Sequence, residues 1–163
     1  MKLMERDSEI IKWIETNKGA TIEQIAQLFF SGYRASANRL KMLTDNNLLK
    51  ADIHPMLGKK VYYTNKLPSF HSLVINDIAL KLKDEIKYIE REAQVKTFKV
   101  DCLMILQSNK VILIEVDIFN RTSDKRLQAL KDTMNQTYKD YSIWVMSKHK
   151  RVHKLKGIEY FTI

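Results

Sequence analysis

Apolar positions recur with a helical period over the first 45 residues and alternate or cluster like strands beyond residue 88. Ile10, Ile11, Trp13 and Ile14 form a short apolar stripe that stops at Asn17-Lys18-Gly19, residues suited to ending a helix. Thr21 opens a second helix, and Gln24 three residues later completes a capping-box pattern. Ile22, Ile25, Ala26 and Phe29 at i, i+3, i+4 and i+7 supply its buried face. Ser31-Gly32 turns the chain into a third helix, whose Tyr33, Ala37, Leu40 and Leu43 are spaced to face inward; Asp45-Asn46-Asn47 ends it. Residues 48–53 and 59–63 suit two short strands around His54-Pro55-Met56-Leu57-Gly58, a hairpin with a Pro/Gly loop.

Pro68 marks a boundary. A helix over 70–83 follows, with Leu73, Val74, Asp77, Ile78 and Leu82 along one side. Tyr88-Ile89-Glu90 carries a weaker strand pattern, whereas 100–106 and 111–118 are strongly strand-like and joined by the short turn Gln107-Ser108-Asn109-Lys110. The second of these is nearly all apolar, which predicts cover on both faces. A helix from Ser123 to Lys139 buries Leu127, Leu130, Met134 and Tyr138, and strands over 142–146 and 157–163 complete the chain. The order helix, helix, turn, helix, hairpin over residues 1–67 is that of a winged helix-turn-helix domain. Residues 68–163, in the order α-β-β-β-α-β-β, predict a small α/β sandwich, and the expected class is α+β with two domains.

Composition narrows the function. Hydrophobic residues make up 45% and charged residues 29% of 163, a balance that excludes disordered, collagen-like and low-complexity proteins. No apolar run approaches a membrane span, and Met1 to Asp7 lack the apolar stretch of a signal peptide, so a cytoplasmic protein is expected. One cysteine, Cys102, permits no internal disulfide and no cysteine-based zinc site; on an apolar strand it suits a small core residue. Lys and Arg number 28 against 19 Asp and Glu, a net charge of +9. The excess lies in both parts, 11 basic against 7 acidic residues in 1–67 and 17 against 12 in 68–163. It favours a polyanionic partner, since Lys and Arg near phosphates release condensed counterions. No basic amphipathic helix suited to a membrane surface is present.

Two constellations and one charged run stand out. Opposite the apolar stripe of the third helix lie Arg34, Ser36, Asn38, Arg39 and Lys41, side chains able to reach base edges or phosphates. Arg34 and Arg39 suit base edges, with Ser36 and Asn38 next; Lys41 and the hairpin lysines Lys59 and Lys60 suit phosphates. The competing readings are a solvated helix face or a protein-binding one. Asp101 on one strand and Glu115 and Asp117 on the next are the second constellation. Three carboxylates there would suit Mg²⁺ or Mn²⁺, because burying them in apolar strands without a cation or donor is costly. Equally, they could be solvated at strand ends or paired with Arg121, Lys125 or Arg126. Finally, residues 148–156 hold five basic side chains with His149 and His153, either tracking a phosphate backbone or forming a solvated connection.

Residues 21–63, the segment Phe70-His71-Ser72-Leu73-Val74-Ile75-Asn76-Asp77, Val100-Asp101 and Ile114-Glu115-Val116-Asp117 together resemble the replication-relaxation family, proteins of plasmids and other mobile elements. The resemblance implies a winged-helix DNA-binding domain joined to a compact α/β domain, acting in plasmid replication or its control. The second domain also resembles the core of PD-(D/E)XK nucleases, with Asp101 matching the first acid and Glu115 the second. Asp117 stands where that pattern has a lysine, and Val100 where it has a proline. No carboxylate supplies the lysine's positive charge, so the resemblance implies a nuclease-like fold kept for dimerisation or DNA contact, unless Lys99 or Lys125 takes the role. The expected function is sequence-specific binding of double-stranded DNA by a homodimer that regulates replication, transfer or transcription and needs no cofactor. The alternative is a metal-dependent endonuclease using Asp101, Glu115 and Asp117, with Mg or Mn on Asp101 and Glu115. A protein-interaction adaptor is the third reading.

Overall fold

In the computed structural model, which describes residues 1–163, the first element is α1 (Glu5–Thr16). Lys18 and Gly19 then take positive φ, 69° and 155°, and lead into β1 (Ala20–Thr21). The Thr21 hydroxyl accepts the Gln24 N–H at 3.2 Å, and Gln24 Oε1 accepts the Thr21 N–H at 3.1 Å. This capping box, legible in the sequence, starts α2 (Ile22–Phe29). Next come α3 (Tyr33–Asp45), β2 (Lys50–Ile53) and β3 (Lys60–Tyr63). β3 lies between β1 and β2 in an antiparallel three-stranded sheet, with Ala20 opposite Tyr62 and Ala51 opposite the same residue's other edge. Ile10, Ile14, Ile25, Leu40, Leu43, Leu49 and Tyr62 form the core beneath.

The inward face of α3 differs from the expected one. Ser36 is fully buried and Tyr33 is 54% exposed, while Leu40 and Leu43 are buried as expected and Ala37 is half-buried. Ser36 is small enough to sit against α2, where its hydroxyl donates to the Ile22 carbonyl at 3.2 Å. Tyr33 falls at the helix start and stays exposed.

The chain divides into two units, Met1–Lys81 and Leu82–Ile163, so α4 (Phe70–Lys81) belongs to the first and the break does not fall at Pro68. The reason is a set of buried polar ties. Gln24 donates from Nε2 to the Leu73 carbonyl at 3.0 Å and to Asp77 Oδ1 at 2.8 Å. Asn76, fully buried, donates to the Gly19 carbonyl at 2.9 Å. His54 Nδ1 accepts the Met56 N–H at 3.2 Å while Nε2 lies 3.0 Å from the Pro68 carbonyl. Pro68 itself fills the space a side chain on Gly19 would need.

The second unit is a five-stranded sheet, β4 (Ile86–Val95), β5 (Phe98–Leu106), β6 (Val111–Asp117), β7 (Tyr141–Ser147) and β8 (Glu159–Thr162), in that spatial order. β4, β5 and β6 run antiparallel, whereas β6, β7 and β8 run parallel. α5 (Asp124–Thr137) connects β6 to β7, its start fixed by the Ser123 hydroxyl accepting the Arg126 N–H at 3.1 Å. Leu127, Leu130 and Met134 of α5 share one core with Leu113, Ile143 and Val145. All seven residues of β6 are buried, as its apolar run predicts. β4 is ten residues long where the sequence pattern shows three, because its alternation is masked by the polar positions 87, 90–92 and 94. The whole is a mixed α+β fold of five helices and two sheets.

Candidate functional site

On α3, the expected DNA-facing side chains separate into three groups. Arg34 and Asn38, one helical turn apart, are exposed and make no ion pair, and Lys60 at the start of β3 is likewise free. Lys41 and Lys59 are exposed but engaged, Lys41 with Asp45 at 2.6 Å and Lys59 with Glu23 at 3.1 Å. Exposed pairs of this kind contribute little and exchange readily for phosphate contacts. Ser36 and Arg39 do not face solvent as the spacing suggests. Ser36 is buried against α2, and Arg39 grips Asp7 of α1, its Nε donating to Oδ1 at 2.7 Å and its Nη2 to Oδ2. Asp7 is fully buried, and the Arg39 guanidinium holds its carboxyl below the usual carboxylate range, helped by the Met4 N–H at 2.7 Å. Arg39 is therefore a structural clamp between α3 and α1, not a base-edge contact.

Sequence reasoning passed over Arg6. Its guanidinium lies 4.3 Å from the Phe30 ring centre and its Nε has no partner. With Met4, Phe30, Ala35, Asn38 and Met42 it lines an open groove beside α3. The chain carries it on α1, 28 residues before Arg34, so no helical period connects the two.

The carboxylates lie at the end of the β5–β6 pairing. Leu103 faces Leu113 across the ladder, and two residues further along each strand stand Asp101 and Glu115. Asp101 Oδ2 accepts the Val116 N–H at 2.7 Å. Glu115 is 6% exposed, and burial together with the charge of Asp101 pushes its carboxyl up to about 7, against the opposing pull of Arg126. Arg126 of α5 reaches Glu115 Oε1 at 3.2 Å and also donates to the Lys99 carbonyl at 2.6 Å. Asp117 points its oxygens to Thr122, at 3.1 Å from the N–H and 2.6 Å from the hydroxyl, with Arg151 at 3.7 Å.

The pairing with Arg126 is one of those open from the sequence. Of the two lysines suggested as replacements for the missing one, Lys99 lies 3.9 Å from Glu92 and Lys125 is exposed; the cation at Glu115 is Arg126. No group of three or more His, Cys, Asp or Glu side chains is placed to hold a metal ion. Asp101 and Glu115 are two carboxylates whose charges act on each other at this end of the ladder, Asp101 holding the Val116 N–H and Glu115 holding Arg126. His149 and His153, of the basic run, lie in an irregular connection and are both exposed. Cys102 is buried, and burial pushes its thiol up to about 12, which leaves it inert as a nucleophile.

No protein-family model matches the chain, and no curated protein matches it. Among solved structures, a repair endonuclease from Pyrococcus abyssi superposes with a TM-score of 0.41 at 10% sequence identity. The match covers 65% of this chain and about half, 52%, of the endonuclease. So loose a likeness assigns no role to any residue here. No helix is long and apolar enough to cross a membrane.

Proposed function

We infer that this chain binds double-stranded DNA through its first unit, which we take as a winged helix-turn-helix. The observation that carries the reading is the exposed face of α3. Arg34 and Asn38 project together from a helix free of acidic residues until Asp45, beside a hairpin that offers Lys59 and Lys60. The element order and the β1-β3-β2 sheet fit that domain type. Arg34 and Asn38 take the base edges; Lys41, Lys59 and Lys60 take phosphates. The resemblance to replication-relaxation proteins extends the reading to a plasmid or other mobile element, with the chain regulating replication, transfer or transcription as a homodimer on an inverted repeat.

The test is selection of bound duplexes from a random pool, followed by titration of the selected site. Arg34→Ala is expected to weaken specific binding by about 1–3 kcal/mol. Equal affinity of the variant and the parent would remove α3 as the recognition surface, and selected sites without two-fold symmetry would remove the homodimer.

A second reading, a metal-dependent DNA endonuclease, is favoured by the Asp101–Glu115 pair. Mg or Mn would be held by these two carboxylates, and when bound would polarise a phosphate and acidify a water. Asp117 is turned toward Thr122 and Arg151, and Arg126 supplies the only cation on Glu115. Incubating DNA with the protein in EDTA, Mg²⁺ or Mn²⁺ and running denaturing gels decides between the readings. Intact DNA throughout supports the regulator; metal-dependent cutting lost in Glu115→Gln establishes the nuclease.

A further inference from the structure

The basic run after β7 is not a uniformly solvated connection. Lys148, His149, Lys150, Lys154 and Lys156 are exposed, but Arg151 among them is only 8% exposed. Its guanidinium lies 5.2 Å from the Tyr160 ring centre, and its Nη2 donates to the Thr122 carbonyl and contacts Asp124 Oδ1 at 3.3 Å. Nε and Nη1, both buried, have no acceptor. Asp117 Oδ2 is 3.7 Å from Nη1, too far for a hydrogen bond, and its oxygens already accept from Thr122. Buried donors without acceptors are costly, so Arg151 keeps donor capacity that its protein neighbours leave unused.

Arg151 lines a cavity of about 250 Å³ at the carboxyl ends of the parallel strands β6 and β7, where open α/β sheets place their ligands. Arg121, Lys150 and Arg151 line it with one carboxylate, Asp117, while Asp124 behind them pairs with Arg121 at 3.6 Å and with Arg151 at 3.3 Å. Two apolar side chains, Phe119 and Val152, stand at its mouth 82% and 87% exposed. The cations alone would suit any anion. An exposed aromatic ring beside them is the combination that binds nucleic-acid strands, the groove meeting phosphate and the ring meeting a base. The cavity is smaller than the roughly 300–1,000 Å³ of sites for drug-sized ligands, a size that suits a phosphate with its nucleoside outside.

We propose that this cavity holds a phosphate of a single-stranded nucleic-acid segment on Arg151, Lys150 and Arg121, with the neighbouring base stacked on Phe119. The site is separate in role from the duplex-reading face of α3 and from the Asp101–Glu115 pair.

Anisotropy of a labelled oligothymidine of about 12 nucleotides, titrated with the full chain, tests it. Phe119→Ala and Lys150→Ala, both surface changes, are expected to weaken binding by about five- to tenfold each, and Arg151→Gln by more. Lys139→Ala, which removes equal charge elsewhere on the second unit, is expected to change it by less than about twofold. A thermal melt shows whether Arg151→Gln is folded; if it is not, the two surface variants carry the test. Wild-type affinity in both surface variants would overturn the proposal, as would an equal loss of binding in Lys139→Ala, which would make the effect one of net charge alone. Competition by inorganic phosphate with no effect of Phe119→Ala would reduce the cavity to a bare anion site and overturn it too.

Discussion

Glu115 is a carboxylate whose environment opposes its charge. In the unfolded chain a glutamate loses its proton near pH 4.3, but here burial and Asp101 hold the carboxyl up at about 7. The folded state therefore binds this proton more tightly than the unfolded state, and stability falls as pH rises from about 4.3 through 7, then levels. Glu115→Gln keeps an acceptor for Arg126 and removes the charge. In a chelating buffer the variant is expected to be more stable than wild type at pH 8 by roughly 3–4 kcal/mol, with the two converging near pH 4. Thermal melts across that range check it; a less stable variant at pH 8 would mean that the Arg126 pair outweighs burial.

Arg39 sets the opposite case. Its bidentate hold on a fully buried carboxylate means that Arg39→Ala leaves Asp7 charged and unpaired, with an expected loss of about 3–5 kcal/mol. Arg34→Ala, on an exposed side chain, is expected to leave the unfolding free energy within about 0.5 kcal/mol of wild type. Denaturant titration of the two variants separates clamp from contact. The sequence could not distinguish these two arginines, five residues apart on one helix, because Asp7 lies 32 positions before Arg39. Helical period showed that both lie off the Leu40–Leu43 stripe, and nothing in it showed what else packs beside them.

At the scale of elements, local signals were legible and long-range ties were not. The capping box at Thr21, the hairpin about His54–Gly58 and the apolar run of β6 are each set by neighbours in sequence, and each formed. β1 was not legible, since a two-residue strand exists only through its pairing with β3, some 40 residues away. Pro68 illustrates the same limit. A proline between two patterns suggests a linker, yet its ring is packed on Gly19 and its carbonyl faces His54. A Cβ on Gly19 would sit 2.5 Å from Pro68 Cγ, and the φ of 155° is one that side chains rarely adopt. Gly19→Ala is accordingly expected to destabilise the first unit by about 2 kcal/mol or more, read as a lower denaturant midpoint at unchanged slope. A neutral outcome would mean that this segment is free to move away from β1.

For the whole molecule, the charge divides almost evenly between the units even after α4 is moved to the first. Residues 1–81 hold 12 basic against 8 acidic side chains, and 82–163 hold 16 against 11. Neither unit is a neutral passenger for a basic partner, which agrees with a nucleic-acid surface on each. The division also says where the chain can be cut. Ending it at residue 67 removes the Leu73 carbonyl and Asp77, the two acceptors of the buried Gln24 amide, along with Asn76, which satisfies the Gly19 carbonyl. Each buried group left unpaired costs about 1–3 kcal/mol, before any loss of apolar contact with α4. A unit of this size has a margin of only about 5–10 kcal/mol to lose. The fragment 1–81 is therefore expected to melt cooperatively and to keep the duplex affinity assigned to α3, while 1–67 melts far lower or does not fold. Circular dichroism melts of the two fragments measure this directly. Equal melting temperatures would return α4 to the second unit and make Pro68 the boundary that the bare sequence suggests.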